Sequence, residues 1–241
     1  MESSNPAFHT RAIDALRNSA TGTGIMTVGG TATKTLILLL VTAFSAGMVW
    51  TADPSVYRAA LLVGTIGGLA FAIATSFKPT WAPVTAPLYA VLEGLALGAI
   101  SAIYNAQFRG LPLTAVAATL VTAVLLFAVY RTGLIKVTER MRAVATMALL
   151  GLLGTYLLQF ILGFFGTGIP LINGNGLFGI GFSVLSTGLA AFFLLLDMDR
   201  VEKMVQSGLP KAMEWYGAFA FLVTLIWLYM EMLRLLSKLR R

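Results

Sequence analysis

The sequence predicts an all-α membrane protein, a bundle of seven transmembrane helices, and three observations predict it. First, 58% of its 241 residues are hydrophobic and only 11% are charged, a composition far too apolar for a soluble domain. Second, seven apolar segments run at about Thr35–Thr51, Val56–Phe77, Val84–Tyr104, Leu113–Tyr130, Ala143–Phe165, Leu177–Leu196 and Trp215–Leu236, each near the ~20 residues a helix needs to cross a bilayer. Third, breakers and charges mark every joint: Asp53-Pro54, Lys78-Pro79 with Pro83, Arg109-Gly110 with Pro112, the basic run Arg131 to Arg142, Pro170 to Gly176, and Gly208-Leu209-Pro210. Backbone groups in lipid must be satisfied internally, so each segment is expected to be helical. The plan is a polar, flexible tail over 1–33 and one seven-span membrane domain over 34–241, with no internal repeat.

The tail is rich in Gly, Ser and Thr and has no apolar core, so no cleavable signal peptide is expected. A short surface helix over His9–Arg17 is the alternative to a flexible tail there, with Gly22, Gly24, Gly29 and Gly30 interrupting its continuation. His9, the single histidine, lies in this stretch and reads as solvated, because a metal site needs several converging ligands.

Lysine and arginine positions set the orientation. Arg11, Arg17, Lys34, Lys78, Arg131, Lys136, Arg140, Arg142, Arg200, Lys203 and Lys211 fall on the N-terminal side of the bilayer, against Arg58 and Arg109 in the opposite loops. A cytoplasmic N-terminus follows. Arg234, Lys238, Arg240 and Arg241 then lie outside if the last segment crosses fully, or inside if it is re-entrant; its length favours crossing.

Several function classes are excluded or disfavoured. The chain has no cysteine, which removes thiolate metal sites, catalytic thiols and disulfides. It has no H-E-x-x-H, G-x-S-x-G or Walker motif, and GTGIPLINGNG lacks the GK[ST] ending of a phosphate loop. No enzyme activity and no cofactor are expected. The net charge of +7 belongs to membrane topology rather than to nucleic-acid binding.

Ten Asp and Glu occur in the chain, and five of them, Asp197, Asp199, Glu202, Glu214 and Glu231, fall within Gly188–Leu236. Positions 214, 217, 221, 224, 228 and 231 read Glu, Gly, Phe, Thr, Leu, Glu and share one helical face. Such a polar and small stripe cannot face lipid throughout, which places the last helix at the centre of the bundle. Glu231 is either a pathway residue or the i+3 partner of Arg234, and Glu214 either a functional acid or a first-turn capping residue. Asp197 and Asp199 are read as ending the sixth helix, either as a site or as a solvated face neutralised by Arg200 and Lys203. Glu93 sits in the middle of the third segment, where an ionised carboxylate costs about 2.5–3.5 kcal/mol on insertion scales; it lines a pathway or glues helices together. Small residues mark expected helix contacts: Gly94, Gly98 and Ser101, Gly151 and Gly154, and Gly181 with Gly188.

APLYAVLEGLALGAIS from Ala86, GIGFSVLSTGLAAFFLLLDMDRVEK from Gly179 and PKAMEWYGAFAFLVTLIWLYMEMLRLL from Pro210 resemble the Bax inhibitor-1 family, also called the transmembrane BAX inhibitor motif family, and specifically its bacterial YccA-like branch. The resemblance covers residues 34–241. It implies seven helices with the last enclosed by the other six, and a pH-sensitive leak of calcium or other cations across the bacterial cytoplasmic membrane. In eukaryotes the family is also associated with suppression of cell death. The family's proposed pH sensor is an aspartate pair, and its positions fall on Asp197 and, by counting back from MLRLL, on Thr224. The threonine is a departure, with Glu214 as the candidate to supply the second acid. Lys78 lies near the place of the family's basic latch. The resemblance implies calcium as a transported ion, held transiently by Asp197 and Glu214. The alternative is a non-conducting protein that modulates a membrane protease or a stress-related complex; a proton-coupled transporter is a third, weaker reading.

Overall fold

The computed structural model describes residues 24–169, 174 and 176–240. The expectations for the tail up to residue 23, His9 and the surface helix included, and for Pro170 lie outside the described residues. Among those described, seven helices are long and apolar enough to cross a membrane: α1 Val28–Trp50, α2 Tyr57–Phe77, α3 Ala82–Gln107, α4 Leu111–Arg131, α5 Glu139–Phe164, α6 Leu177–Gln206 and α7 Met213–Leu239. The seventh is one unbroken helix of 27 residues, about 40 Å at 1.5 Å per residue, so a re-entrant last segment is not what forms.

Local chemistry explains where the helices begin and end. α1 starts seven residues before the apolar run because Thr27 caps it, its hydroxyl accepting from the Gly30 amide at 2.9 Å; residues 28–33 therefore belong to the membrane domain rather than to the tail. Asp53 caps the short turn Pro54–Val56 ahead of α2, and the hydrogen bond from the Ser55 amide, with a further one from its side chain, holds the Asp53 carboxyl below the usual range. Thr138 caps α5 by accepting from Met141, which draws Arg140 and Arg142 out of the expected loop and into the first turn. α6 ends at Gln206, two residues before Gly208, whose φ of 68° puts it in the left-handed region that favours glycine after a helix.

The described chain divides into two compact units. One comprises the chain up to Ile100 with Arg200–Leu222, the other Ser101–Asp199 with Val223–Arg241. In the first, the backbones of α1 and α3 meet: a Cβ on Gly94 would lie 1.9 Å from Ser45 Oγ, and one on Gly98 would lie 2.4 Å from the Ala46 carbonyl oxygen. Gly64 of α2 meets α3 in the same way, at 2.5 Å from the Leu92 carbonyl oxygen. The approach to α1 is stitched to the turn between α6 and α7 by the amides of Met26 and Lys211, which donate to the carbonyls of Leu209 and Gly24 at 2.8 Å each. Met26, Val201 and Met213 form an apolar cluster beneath that stitch.

In the second unit Ser101 and Tyr229 share a hydrogen bond of 2.6 Å, and Phe193 meets Trp227 edge-on at 5.6 Å. Among the described residues the expected contacts at Gly151, Gly154, Gly181 and Gly188 do not form. A Cβ at any of these four would meet nothing within 4 Å; small size permits close approach but does not supply a neighbour. Over their most apolar stretches α3, α6 and α7 are 50%, 44% and 44% buried, against 22% or less for the other four. The last helix is thus among the three most buried, together with α3 and α6, and its polar stripe lies on its buried side.

Candidate functional site

The site is built on two buried faces. On α7 the stripe Glu214, Gly217, Thr224, Leu228 and Glu231 is buried, with Phe221 half-buried. On α6, Ser183, Ser186, Ala190, Leu194 and Asp197 follow one another at three- and four-residue steps, and all are buried. Polar groups in membrane helices have no water to bond to and seek one another. Here they gather into separate networks.

The first joins Asp197 and Thr224. The Thr224 hydroxyl donates to Asp197 Oδ2 at 2.5 Å, and the two residues are 4% and 7% exposed. The register that placed Thr224 opposite Asp197 is the register of the structure. Asp197 does not end α6, however: the helix runs on to Gln206, about 13 Å further at 1.5 Å per residue. Its exit turns stay folded because they keep an apolar face, with Val201, Met204 and Val205 packed near Met26 and Met213. Asp197 and Asp199 therefore do not lie in the last turn of α6, where a carboxylate would oppose the helix dipole, and Asp197 is too buried to belong to a solvated face. Asp199 is ion-paired with the Arg142 guanidinium of α5.

The second network surrounds Glu231, which is 1% exposed. Its Oε1 accepts from the Tyr156 hydroxyl at 2.8 Å and from Trp227 Nε1 at 3.2 Å, and its Oε2 accepts from the Ser186 hydroxyl at 2.8 Å. Arg234 Nη1 lies 3.0 Å from both oxygens, and the guanidinium also donates to the Tyr156 hydroxyl and lies over that ring, 4.7 Å from its centroid. The expected i+3 pair is present, inside a larger constellation.

Glu214 anchors a third network, in the other unit. Also 1% exposed, it pairs with Lys34 of α1 and accepts from the amide and the hydroxyl of Thr27, both at 3.0 Å. It sits in the first turn of α7 as anticipated, but it caps the approach to α1 rather than its own helix. Gly30 makes room for it, since a Cβ there would lie 2.1 Å from Glu214 Oε1.

Glu93 differs from these acids. It is half-buried, its carboxyl oxygen lies against Gly68 of α2, where a Cβ would come within 2.7 Å, and among the described residues it has no hydrogen bond or ion pair. Lys78 caps the end of α2 and places its ammonium 4.3 Å from the centroid of the Trp81 ring. Among the described residues no three acidic or histidine side chains converge as a metal site would require; Asp197 and Glu214 each lie in the network of their own unit.

Sequence reading missed Lys34, Arg142, Tyr156 and Ser186. The two basic residues were counted for topology, and a charge count carries no partner. Tyr156 and Ser186 left a faint signal: each lies among other polar groups within an apolar segment, Tyr156 beside Thr155 and Ser186 beside Ser183 and Thr187, where internal hydrogen bonding is the usual reason.

Comparison with curated proteins and with solved structures returns no match. The family model described as Bax inhibitor 1 like matches residues 5–241. That match takes in all seven helices and every network above, and the chain belongs to the Bax inhibitor 1 like family.

Proposed function

We propose that this protein is a pH-sensitive leak channel for calcium, or for cations more broadly, in the bacterial cytoplasmic membrane, with a cytoplasmic N-terminus and a place in the YccA-like branch of the family. It acts without catalysis and without a cofactor, and calcium is its cargo. The observation that carries this reading is the Thr224 hydroxyl on Asp197, a buried carboxylate inside a membrane helix. An acid in that position is costly and by default marks an ion or proton pathway. Gain of a proton removes the charge of Asp197 and adds an O–H donor beside its remaining acceptor oxygen, which changes what the α6–α7 contact can hold and links pH to opening. Hard oxygen ligands suit calcium, and sparse carboxylates suit passage rather than storage. Glu93, without a hydrogen bond or ion pair among the described residues, is a separate candidate acid within its own unit. The test is calcium, sodium and potassium flux from proteoliposomes containing only the purified protein, measured across pH.

A second reading is favoured by the ion pairs Glu214–Lys34, Glu231–Arg234 and Asp199–Arg142. Acids held this way serve as internal glue, as in a non-conducting protein that modulates a membrane protease or a stress-related complex. The same liposomes separate the two, because a leak needs no partner.

A further inference from the structure

α4 ends where a bilayer ends. Its 21 residues, Leu111–Arg131, cover about 31 Å at 1.5 Å per residue, close to the ~30 Å of a hydrocarbon core, so Arg131 in its last turn stands at headgroup level. Gly133, with a φ of 71°, turns the chain away from the helix, and α5 opens at Glu139 behind its Thr138 cap. From 131 to 140 the connection reads RTGLIKVTER. Arg131, Lys136 and Arg140 are exposed and, among the described residues, make no hydrogen bond, ion pair or ring contact. Several basic side chains elsewhere are engaged: Lys34 by Glu214, Arg142 by Asp199, Arg234 by Glu231 and Lys78 by the Trp81 ring. Glu139, the acid of this stretch, lies 3.7 Å from Arg142. Leu134, 77% exposed, stands in sequence between Arg131 and Lys136.

We infer that this α4–α5 elbow is a binding site for the headgroups of anionic phospholipids, with Arg131, Lys136 and Arg140 as its cations. An arginine meets phosphate oxygens as a two-pronged fork and a lysine as a point charge, and basic clusters beside a membrane helix recognise an anionic lipid surface. Leu134 adds an apolar contact beneath the headgroups that a free phosphate cannot use. The elbow also needs such a hold. Over their most apolar stretches α4 and α5 are 11% and 6% buried, the two lowest values of the seven, so lipid rather than protein surrounds them. Two polar ties of α5 to other helices are Arg142 with Asp199 and Tyr156 with Glu231. A headgroup on the elbow steadies the end of α5 from which Arg142 reaches Asp199. Topology alone accounts for basic loops, but it asks for charge only during insertion and predicts no lipid preference in the folded protein. The site requires no conduction, so it stands or falls apart from the leak.

The measurement uses the full chain in detergent, equilibrated with equimolar phosphatidylglycerol and phosphatidylcholine of the same acyl chains, re-isolated and extracted so that both retained lipids can be quantified. The wild type is expected to retain phosphatidylglycerol in an excess on the order of tenfold. That excess should shrink as salt rises from about 0.1 M to about 1 M, where the screening length falls from about 10 Å to about 3 Å. Lys136→Gln is expected to lower the excess by up to about fivefold, the worth of one surface charge. The triple variant Arg131→Gln, Lys136→Gln, Arg140→Gln is expected to abolish it. Lys136→Arg, which keeps the charge, and Arg58→Gln, at the start of α2, are expected to leave it unchanged. Equal retention of the two lipids by the wild type, an excess that survives in the triple variant, or an equal loss in Arg58→Gln overturns the site. Displacement of phosphatidylglycerol by millimolar inorganic phosphate also overturns it, since the elbow would then take a free anion rather than a lipid. If the triple variant does not insert, Lys136→Gln against Lys136→Arg decides, and the same excess in those two overturns the proposal.

Discussion

Thr224 of α7 donates its hydroxyl hydrogen bond to Asp197 of α6 at 2.5 Å, with both residues buried. The contact holds one titratable group where an aspartate at position 224 would make two. Two carboxyls in one poorly solvated site titrate as a unit. Thr224→Asp is therefore expected to steepen the pH dependence of flux, and Asp197→Asn added to it to abolish the gain. Flux against pH for the three proteins decides, and an unchanged profile in Thr224→Asp rules out the sensor geometry.

The positive-inside distribution predicts that the connections between α4 and α5 and between α6 and α7 face the cytoplasm. The chain has no cysteine, so a single one introduced at Gln206, the exposed last residue of α6, reports without background. No labelling by an impermeant thiol reagent in intact cells, and full labelling after permeabilisation, is expected; labelling in intact cells reverses the orientation.

Removing Lys34 leaves the buried Glu214 carboxylate without its ion-pair partner. Lys34→Met is expected to lower stability by about 3–5 kcal/mol, the range in which breaking one side of a buried pair falls. The companion change Gly30→Ala forces a methyl group against Glu214 Oε1 and is expected to act in the same direction. Detergent-based thermal unfolding measures both, and wild-type midpoints would remove the pair from any account of stability.

Glycines that look alike in the sequence should respond differently. Gly94→Ala places a Cβ 1.9 Å from Ser45 Oγ and 2.5 Å from the Thr42 carbonyl oxygen, and is expected to cost about 1–3 kcal/mol through overpacking. Gly151→Ala meets nothing within 4 Å and should be neutral or stabilising by up to about 1 kcal/mol, through helix propensity alone. Equal unfolding midpoints in the two variants would refute the packing of α1 on α3.

Glu93 makes no hydrogen bond among the described residues, so the glue reading of this acid loses its physical basis. Both Glu93→Gln and Glu93→Leu are expected to fold, with flux changed in each because the charge is gone. A leucine variant that fails to fold beside a glutamine variant that conducts normally would restore the structural reading.

What the sequence by itself determined here is what depends on composition and period. Seven spans, their breakers, the interior face of α7 and the i+3 pairing of Glu231 with Arg234 follow from transfer free energy and the 3.6-residue repeat, which are local properties. The helix ends were less legible. α1 begins at Val28 because Thr27 and Glu214 satisfy its first turn, and α6 outlasts its apolar run because Val201 and its neighbours find Met26 and Met213. Only the tertiary structure decided partners. Lys34 with Glu214, Arg142 with Asp199, and Tyr156 and Ser186 with Glu231 are 180, 57, 75 and 45 residues apart in the chain. No local pattern encodes such pairs, because in a medium without water each buried polar group takes whichever partner the packing of distant helices brings within reach.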